Sequence, residues 1–165
     1  MKKLFWAVLA VVLMLTTAGC ISPDIEGMEI TNTDGTTTEI FGDAKRIVLL
    51  NSNAGEVLYL LGEADRVVGI SKSIADNSIQ AGLYPNAKII GAWNEPDVEY
   101  LISMGVDVVL AYSDSKPKNA EVLAAANIPV VYVDCTKPET MALDIAEIGK
   151  LVGKPERAAE IAEFY

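Results

Sequence analysis

Five short segments gather the polar and aromatic side chains with which this chain could do chemistry: Asn51-Ser52-Asn53, Ser71-Lys72-Ser73, Gly91-Ala92-Trp93-Asn94, Tyr112-Ser113-Asp114-Ser115-Lys116 and Asp134-Cys135-Thr136-Lys137. Hydroxyls, amides, two aromatic rings and three lysines suit a large ligand with polar edges and a flat or apolar body. Asn51, Ser52, Asn53, Ser71, Lys72, Trp93, Tyr112 and Asp134 are therefore the candidate ligand-binding residues. Trp93 is flanked by Gly91 and the turn residues Asn94-Glu95-Pro96, so it stands outside a regular element and either meets a ligand or covers a sheet edge. Tyr112 divides between pocket and packing. Lys72, Lys116 and Lys137 either meet an anionic ligand or are solvated loop charges.

Bond-making chemistry has much less support. The 165 residues include no histidine, which removes Ser-His-Asp triads, Cys-His pairs, HExxH zinc sites and histidine-ligated haem. Cys135 has neither a base nor a second cysteine nearby and reads as a small packing residue rather than a nucleophile. No GxGxxG follows a strand and no GxxxxGK[ST] exists, so phosphate cradles are missing. Asn94-Glu95-Pro96-Asp97 has the acidic character of a helix start rather than the spacing of a calcium loop. No catalytic residue, resident cofactor or protein-ligated metal is expected. A Rossmann-like, nucleotide-using surface enzyme is the competing class, and a ligand-free adaptor lipoprotein of one lobe is a third.

Thirteen Lys+Arg against 23 Asp+Glu give a formal net charge of −10, the wrong sign for nucleic-acid phosphates. One acidic residue is placed suggestively: Asn53 and Glu56 have the Asn-x-x-Glu spacing of a capping box at a helix start. The same Glu56 would sit exposed on the rim, positioned to meet a basic partner.

The elements that must hold these segments are short and alternate. Glu29–Asn32 and Thr37–Ile40 flank Asp34-Gly35 and predict a β-hairpin. Nearly continuous apolar runs follow at 47–50, 67–70, 88–90, 106–110 and 130–133, the signature of parallel strands covered on both faces. Helical patterns at 56–61, 97–104, 118–126 and 141–152 separate most of them, while 70–88 reads as a loop with one turn of helix. Pro155 opens a last helix in which Ala158, Ile161, Ala162 and Tyr165 recur at helical spacing with no stop signal. The expected fold is a single doubly wound, Rossmann-like α/β lobe with a mainly parallel sheet and an N-terminal hairpin. Every candidate ligand residue then falls in a loop at the carboxyl end of a strand, where open α/β sheets bind ligands.

At the N-terminus, Lys2 and Lys3 precede an apolar run from Leu4 to Leu15, which is shorter than the roughly 20 residues of a membrane span. It fits the apolar stretch of an export signal, and it ends in Thr16-Thr17-Ala18-Gly19-Cys20, small residues before a cysteine that resemble a lipobox. Residues 1–20 are thus read as a leader, Cys20 as a lipidation site anchoring an exported protein to the membrane, and 21–27 as a tether.

The stretch from Arg46 to Gly62, with Asn51-Ser52-Asn53-Ala54-Gly55-Glu56 at its centre, and then Asp65-Arg66-Val67-Val68-Gly69-Ile70-Ser71, resembles the opening of the iron-siderophore, haem and cobalamin substrate-binding proteins of ABC importers. Pro85, Ile90-Gly91, Asn94 to Asp97, Glu99-Tyr100-Leu101-Ile102, Gly105 to Leu110 and Ile128-Pro129-Val130-Val131 continue the resemblance in order. In that family two α/β lobes close over a ligand and one long helix links them. The resemblance implies that residues 28–153 are the first lobe and 154–165 the start of the linking helix, with the second lobe absent. It further implies a metal chelate as ligand, an ABC permease and its ATPase as partners, and Glu56 as the acidic residue that docks against permease arginines. Trp93 and Tyr112 match loops that line the ligand cleft.

Overall fold

The computed structural model describes residues 27–165. The leader, Cys20 and residues 21–26 of the tether lie outside the described residues.

In chain order the elements are β1 (Met28–Thr31), β2 (Thr37–Ile40), β3 (Ile47–Leu49), α1 (Ser52–Leu60), a 3-10 turn (Ala64–Arg66) and β4 (Val67–Ile70). Then come α2 (Lys72–Ala75), α3 (Ser78–Gly82), β5 (Lys88–Ile89), β6 (Gly91–Ala92), β7 (Glu95–Pro96) and α4 (Val98–Ser103). The chain closes with β8 (Val108–Ala111), α5 (Ala120–Ala125), β9 (Val130–Tyr132), α6 (Pro138–Leu151) and α7 (Pro155–Phe164). A five-stranded sheet in the order β5-β4-β3-β8-β9 is parallel throughout, as the apolar runs predict.

Successive side chains on a strand point to opposite faces, which divides the core in two. Ile47, Leu49, Val108, Leu110 and Val131 meet Leu58 of α1, Ile145 and Ile148 of α6 and Ile161 of α7 on one face. Val48, Leu50, Val109, Ala111 and Val130 meet Leu101 of α4 and Leu123 of α5 on the other. Each fully buried aliphatic side chain contributes roughly 1.5–3 kcal/mol relative to exposure. Helix α7 packs tightly on α6 because position 149 is glycine: a Cβ there would overlap that of Ala158.

The hairpin β1–β2 turns at Asp34-Gly35, with Gly35 at φ 81°, and lies against the outer edge of β9. Thr33 N–H donates to Tyr132 O at 2.8 Å, Tyr132 N–H to Asn32 Oδ1 at 2.9 Å, and Thr38 Oγ1 to Val130 O at 3.0 Å. An edge strand that would otherwise offer unpaired groups is thereby covered.

Three expectations are corrected. The stretch between Ile70 and Lys88 holds two short helices, invisible to a periodicity search because α2 buries only Ile74 and α3 buries nothing. Between β5 and α4 the chain forms a miniature hairpin, β6–β7, whose two-residue strands carry no pattern. Tyr165, expected on the apolar stripe of the last helix, is 72% exposed, whereas Ala158 and Ile161 are buried as their spacing requires.

Candidate functional site

Strand β3 is followed on one side by β4 and β5 and on the other by β8 and β9, so the strand order reverses beside it. Loops leaving the carboxyl ends of two strands diverge at such a point and leave a crevice. Here that crevice is a depression of about 230 Å³ lined by Leu50, Ser52, Ser73, Ile74, Gln80, Trp93 and Tyr112.

Each lining side chain is placed by a local device. Leu50 and Asn51 N–H groups both donate to Leu110 O, at 2.9 and 3.2 Å, which locks the β3 exit to β8. Ser52 begins α1, and its Oγ lies 3.4 Å from the Tyr112 hydroxyl. Trp93 sits in the β6–β7 turn, where Gly91 adopts φ 96°, a conformation costly for a residue with a Cβ, and where Asp97 N–H closes onto Ile90 O at 3.0 Å. Trp93 is 38% exposed. Neither Trp93 nor Tyr112 is spent wholly on packing.

Beneath this wall lies a floor of buried polar groups, and it holds three residues expected to reach a ligand. Asn51 is fully buried: its Oδ1 accepts from Asn53 N–H at 2.8 Å and Ala54 N–H at 3.3 Å, and its Nδ2 donates to Val133 O. Asn51, not Asn53, is therefore the N-cap of α1, and the expected Asn53–Glu56 capping box is not formed. Asn53 instead turns its Nδ2 to Asp134 O at 3.3 Å. Ser71, also fully buried, places its Oγ 3.0 Å from that of Ser73. Asp134 is 2% exposed, and its carboxylate accepts from Ser113 N–H at 2.7 Å and Ser113 Oγ at 2.8 Å. Asn51, Ser71 and Asp134 thus support the crevice and have no free surface to offer it.

The lysines are engaged as well. Lys72 pairs with Asp76 at 2.8 Å, one turn along, and does not line the depression. Lys137 stands 4.0 Å from Asp134. Lys116 pairs with Asp34 at 2.8 Å and lies 4.5 Å from the centre of the Tyr132 ring. Its ammonium, with Thr36 hydrogen bonds in support, holds the Asp34 carboxyl down at about 2. The depression is consequently lined by uncharged side chains only. Burial pushes the Cys135 thiol far up, so it is held as the unreactive neutral form.

Glu56 is exposed on α1, as expected, and accepts from Gln80 Nε2 at 3.4 Å; it has no ion-pair partner among the described residues. Leu50, Ile74 and Gln80 line the depression without having been singled out from sequence. Asn77 carried a usable signal for Gln80, since it caps α3 by accepting from Ile79 and Gln80 N–H groups and so sets Gln80 in the first turn. A larger groove of about 710 Å³ runs between β2 and α5 along the β9 edge and shares no lining residue with the crevice.

The model of the periplasmic binding protein family matches residues 47–165. The chain belongs to this family. The "Vitamin B12-binding protein" of Yersinia pestis (strain Pestoides F) is 27% identical over 127 residues, covering 74% of this chain and 42% of that relative. A TroA-like periplasmic binding protein FepB from Veillonella parvula superposes with a TM-score of 0.72 at 28% identity, over 84% of this chain and 46% of its own. Staphylococcus aureus SirA, solved in complex with staphyloferrin B, superposes with a TM-score of 0.66 at 25% identity over 84% and 46%. The periplasmic binding protein described here thus spans less than half the length of these relatives.

Proposed function

We propose that this chain is the ligand-capturing first lobe of an exported solute-binding protein that delivers a metal chelate (ferric siderophore, cobalamin or haem) to an ABC permease and its ATPase. The observation that carries this reading is the crevice at the sheet's switch point, walled by Trp93 and Tyr112 and hydroxyl and amide groups with no free charge. Such a wall complements the organic periphery of a chelate rather than a bare ion, because aromatic faces and neutral donors recognise flat, polar-edged bodies. Ser52, Trp93 and Tyr112 are the contact residues in this reading, and Lys72 and Asn53 stand outside the contact set. The lobe grips and releases without bond chemistry. Helix α7 is the beginning of the link to a second lobe, and lipidated Cys20 holds the protein at the membrane.

Glu56 is the docking carboxylate. Its exposure, its lack of a cationic neighbour among the described residues and the net charge of −10 favour a basic partner surface.

Titrating cyanocobalamin, ferric siderophores and haem into the full gene product while following Trp93 emission tests the ligand class. Quenching by one of them at low micromolar concentration or below is expected; silence toward all three overturns it. The docking role is tested separately by Glu56→Arg, which should abolish uptake and leave ligand affinity unchanged. Normal uptake by that variant would remove Glu56 from the interface.

A further inference from the structure

The aromatic wall is held at more points than a surface loop needs. The segment from Tyr112 to Asn119 links β8 to α5 and contains no regular element. At its start, both oxygens of the Asp134 carboxylate close on Ser113, the residue after Tyr112, at 2.7 and 2.8 Å. At its end, Lys118 N–H donates to Asn94 O at 2.9 Å and Asn119 Nδ2 to Pro96 O at 2.8 Å. Both acceptors belong to the β6–β7 hairpin that carries Trp93. Between them, Lys116 bridges to Asp34 in the first hairpin.

A carboxylate as buried as Asp134 is costly unless its lone pairs are used, and here they are used on one loop residue. Asp134 is itself braced. Its N–H donates to Thr33 Oγ1 at 2.9 Å, and that hydroxyl donates to Asp144 Oδ1 at 2.6 Å. The second Asp144 oxygen accepts Cys135 N–H at 2.8 Å, so a fully buried carboxylate closes the chain of bonds. The bracing runs from α6 through the hairpin and the exit of β9 to the loop of Tyr112.

We propose that Asp134, through Ser113, and Asn119, through Pro96, are positioning residues that fix Tyr112 and Trp93 relative to one another before any ligand arrives, so that the two rings form one pre-set wall. This rests on the proposed capture role for its biological meaning, but the geometry it asserts is independent of any ligand. A preformed wall loses less conformational freedom on binding than two separate mobile loops would.

The test begins without ligand, in the full gene product labelled with 3-fluorotyrosine, the Tyr112 resonance being assigned by its loss in Tyr112→Phe. Ser113→Ala removes one of the two bonds to Asp134 and is mild enough to leave the fold intact. Its Tyr112 resonance should shift and broaden, while Ser113→Thr, which keeps the hydroxyl, should restore the original signal. Asn119→Ala should shift the Trp93 emission maximum with the thermal midpoint nearly unchanged. An unaltered fluorine signal in Ser113→Ala overturns the proposal. With cyanocobalamin as the probe, Ser113→Ala should weaken binding about fivefold, the scale of one modest hydrogen bond. In a Tyr112→Ala background the same change should have almost no further effect, because a positioning residue acts only through the ring it places. Full additivity of the two substitutions overturns the proposal. Failure of cyanocobalamin to bind the unaltered protein removes cobalamin alone from the proposed ligands, and the fluorine signals still decide the positioning.

Discussion

The floor and the wall of the crevice both draw on polar residues and do opposite work. Asn51, Ser71 and Asp134 are polar, lie at strand exits and are almost wholly buried, with their hydrogen bonds directed at the chain itself. Ser52, Ser73, Gln80, Trp93 and Tyr112 line the depression and keep surface free. Single-residue alternation explains the contrast: Asn51 and Ser52 are neighbours, yet one caps α1 from within and the other opens onto the crevice. Polar character at a strand tip marks a place of importance. Burial decides whether the group is spent on the fold or left open to the crevice.

Substitutions should separate the two sets, and the largest effect is expected at the floor. Asn51→Ala removes a helix cap and strands the buried Val133 carbonyl, so the chain should lose about 2–4 kcal/mol in denaturant unfolding. A loss below about 1 kcal/mol would mean that the floor is not structural. On the wall, Trp93→Ala should cost about 2 kcal/mol in ligand affinity by calorimetry, the scale of a buried aromatic anchor, with stability changed by less than about 1 kcal/mol. A stability loss larger than the affinity loss would move Trp93 into the floor set. Ser52→Ala should weaken binding by about 0.5–1.5 kcal/mol, the net worth of one hydrogen bond, and change stability by less than about 1 kcal/mol.

The smallest effect belongs to the exposed tie between the hairpin and the Tyr112 loop. At neutral pH, Asp34→Asn should cost no more than about 0.2–1 kcal/mol, as exposed ion pairs do. Because Lys116 holds the Asp34 carboxyl down at about 2 from its ordinary 3.8, the folded state favours the ionised form. That contribution is complete above the ordinary value and fades as pH falls toward the lowered one. Urea midpoints between pH 4 and pH 2 should therefore fall less steeply in Asp34→Asn than in the unaltered protein.

Much of the architecture is legible because a doubly covered parallel strand needs a nearly continuous apolar run, and Ile47–Leu50, Val108–Leu110 and Val130–Val133 supply it. Asp34-Gly35 was enough to place the first hairpin. Elements that bury almost nothing left no trace, as α3 and the β6–β7 hairpin show. At the crevice, Ser52, Trp93 and Tyr112 converge as loops at strand ends must, whereas Leu50 and Ile74 join them through packing between segments that no local pattern reports, and only the cap at Asn77 points to Gln80. The cap reading at Asn53 falls two residues late for a related reason. Asn51, Ser52 and Asn53 are all good caps, and only the buried partner at Val133 selects the first.

The hairpin at the start of the described chain also imposes an order of events. Thr33 meets the exit of β9 across a separation of 101 residues, so this contact cannot form until nearly all of the lobe has been synthesised. Loop-closure entropy makes such distant pairings late and slow. Until then the chain lacks its final clasp. That delay leaves the outermost strand open to wrong pairings while the rest of the lobe is still being made.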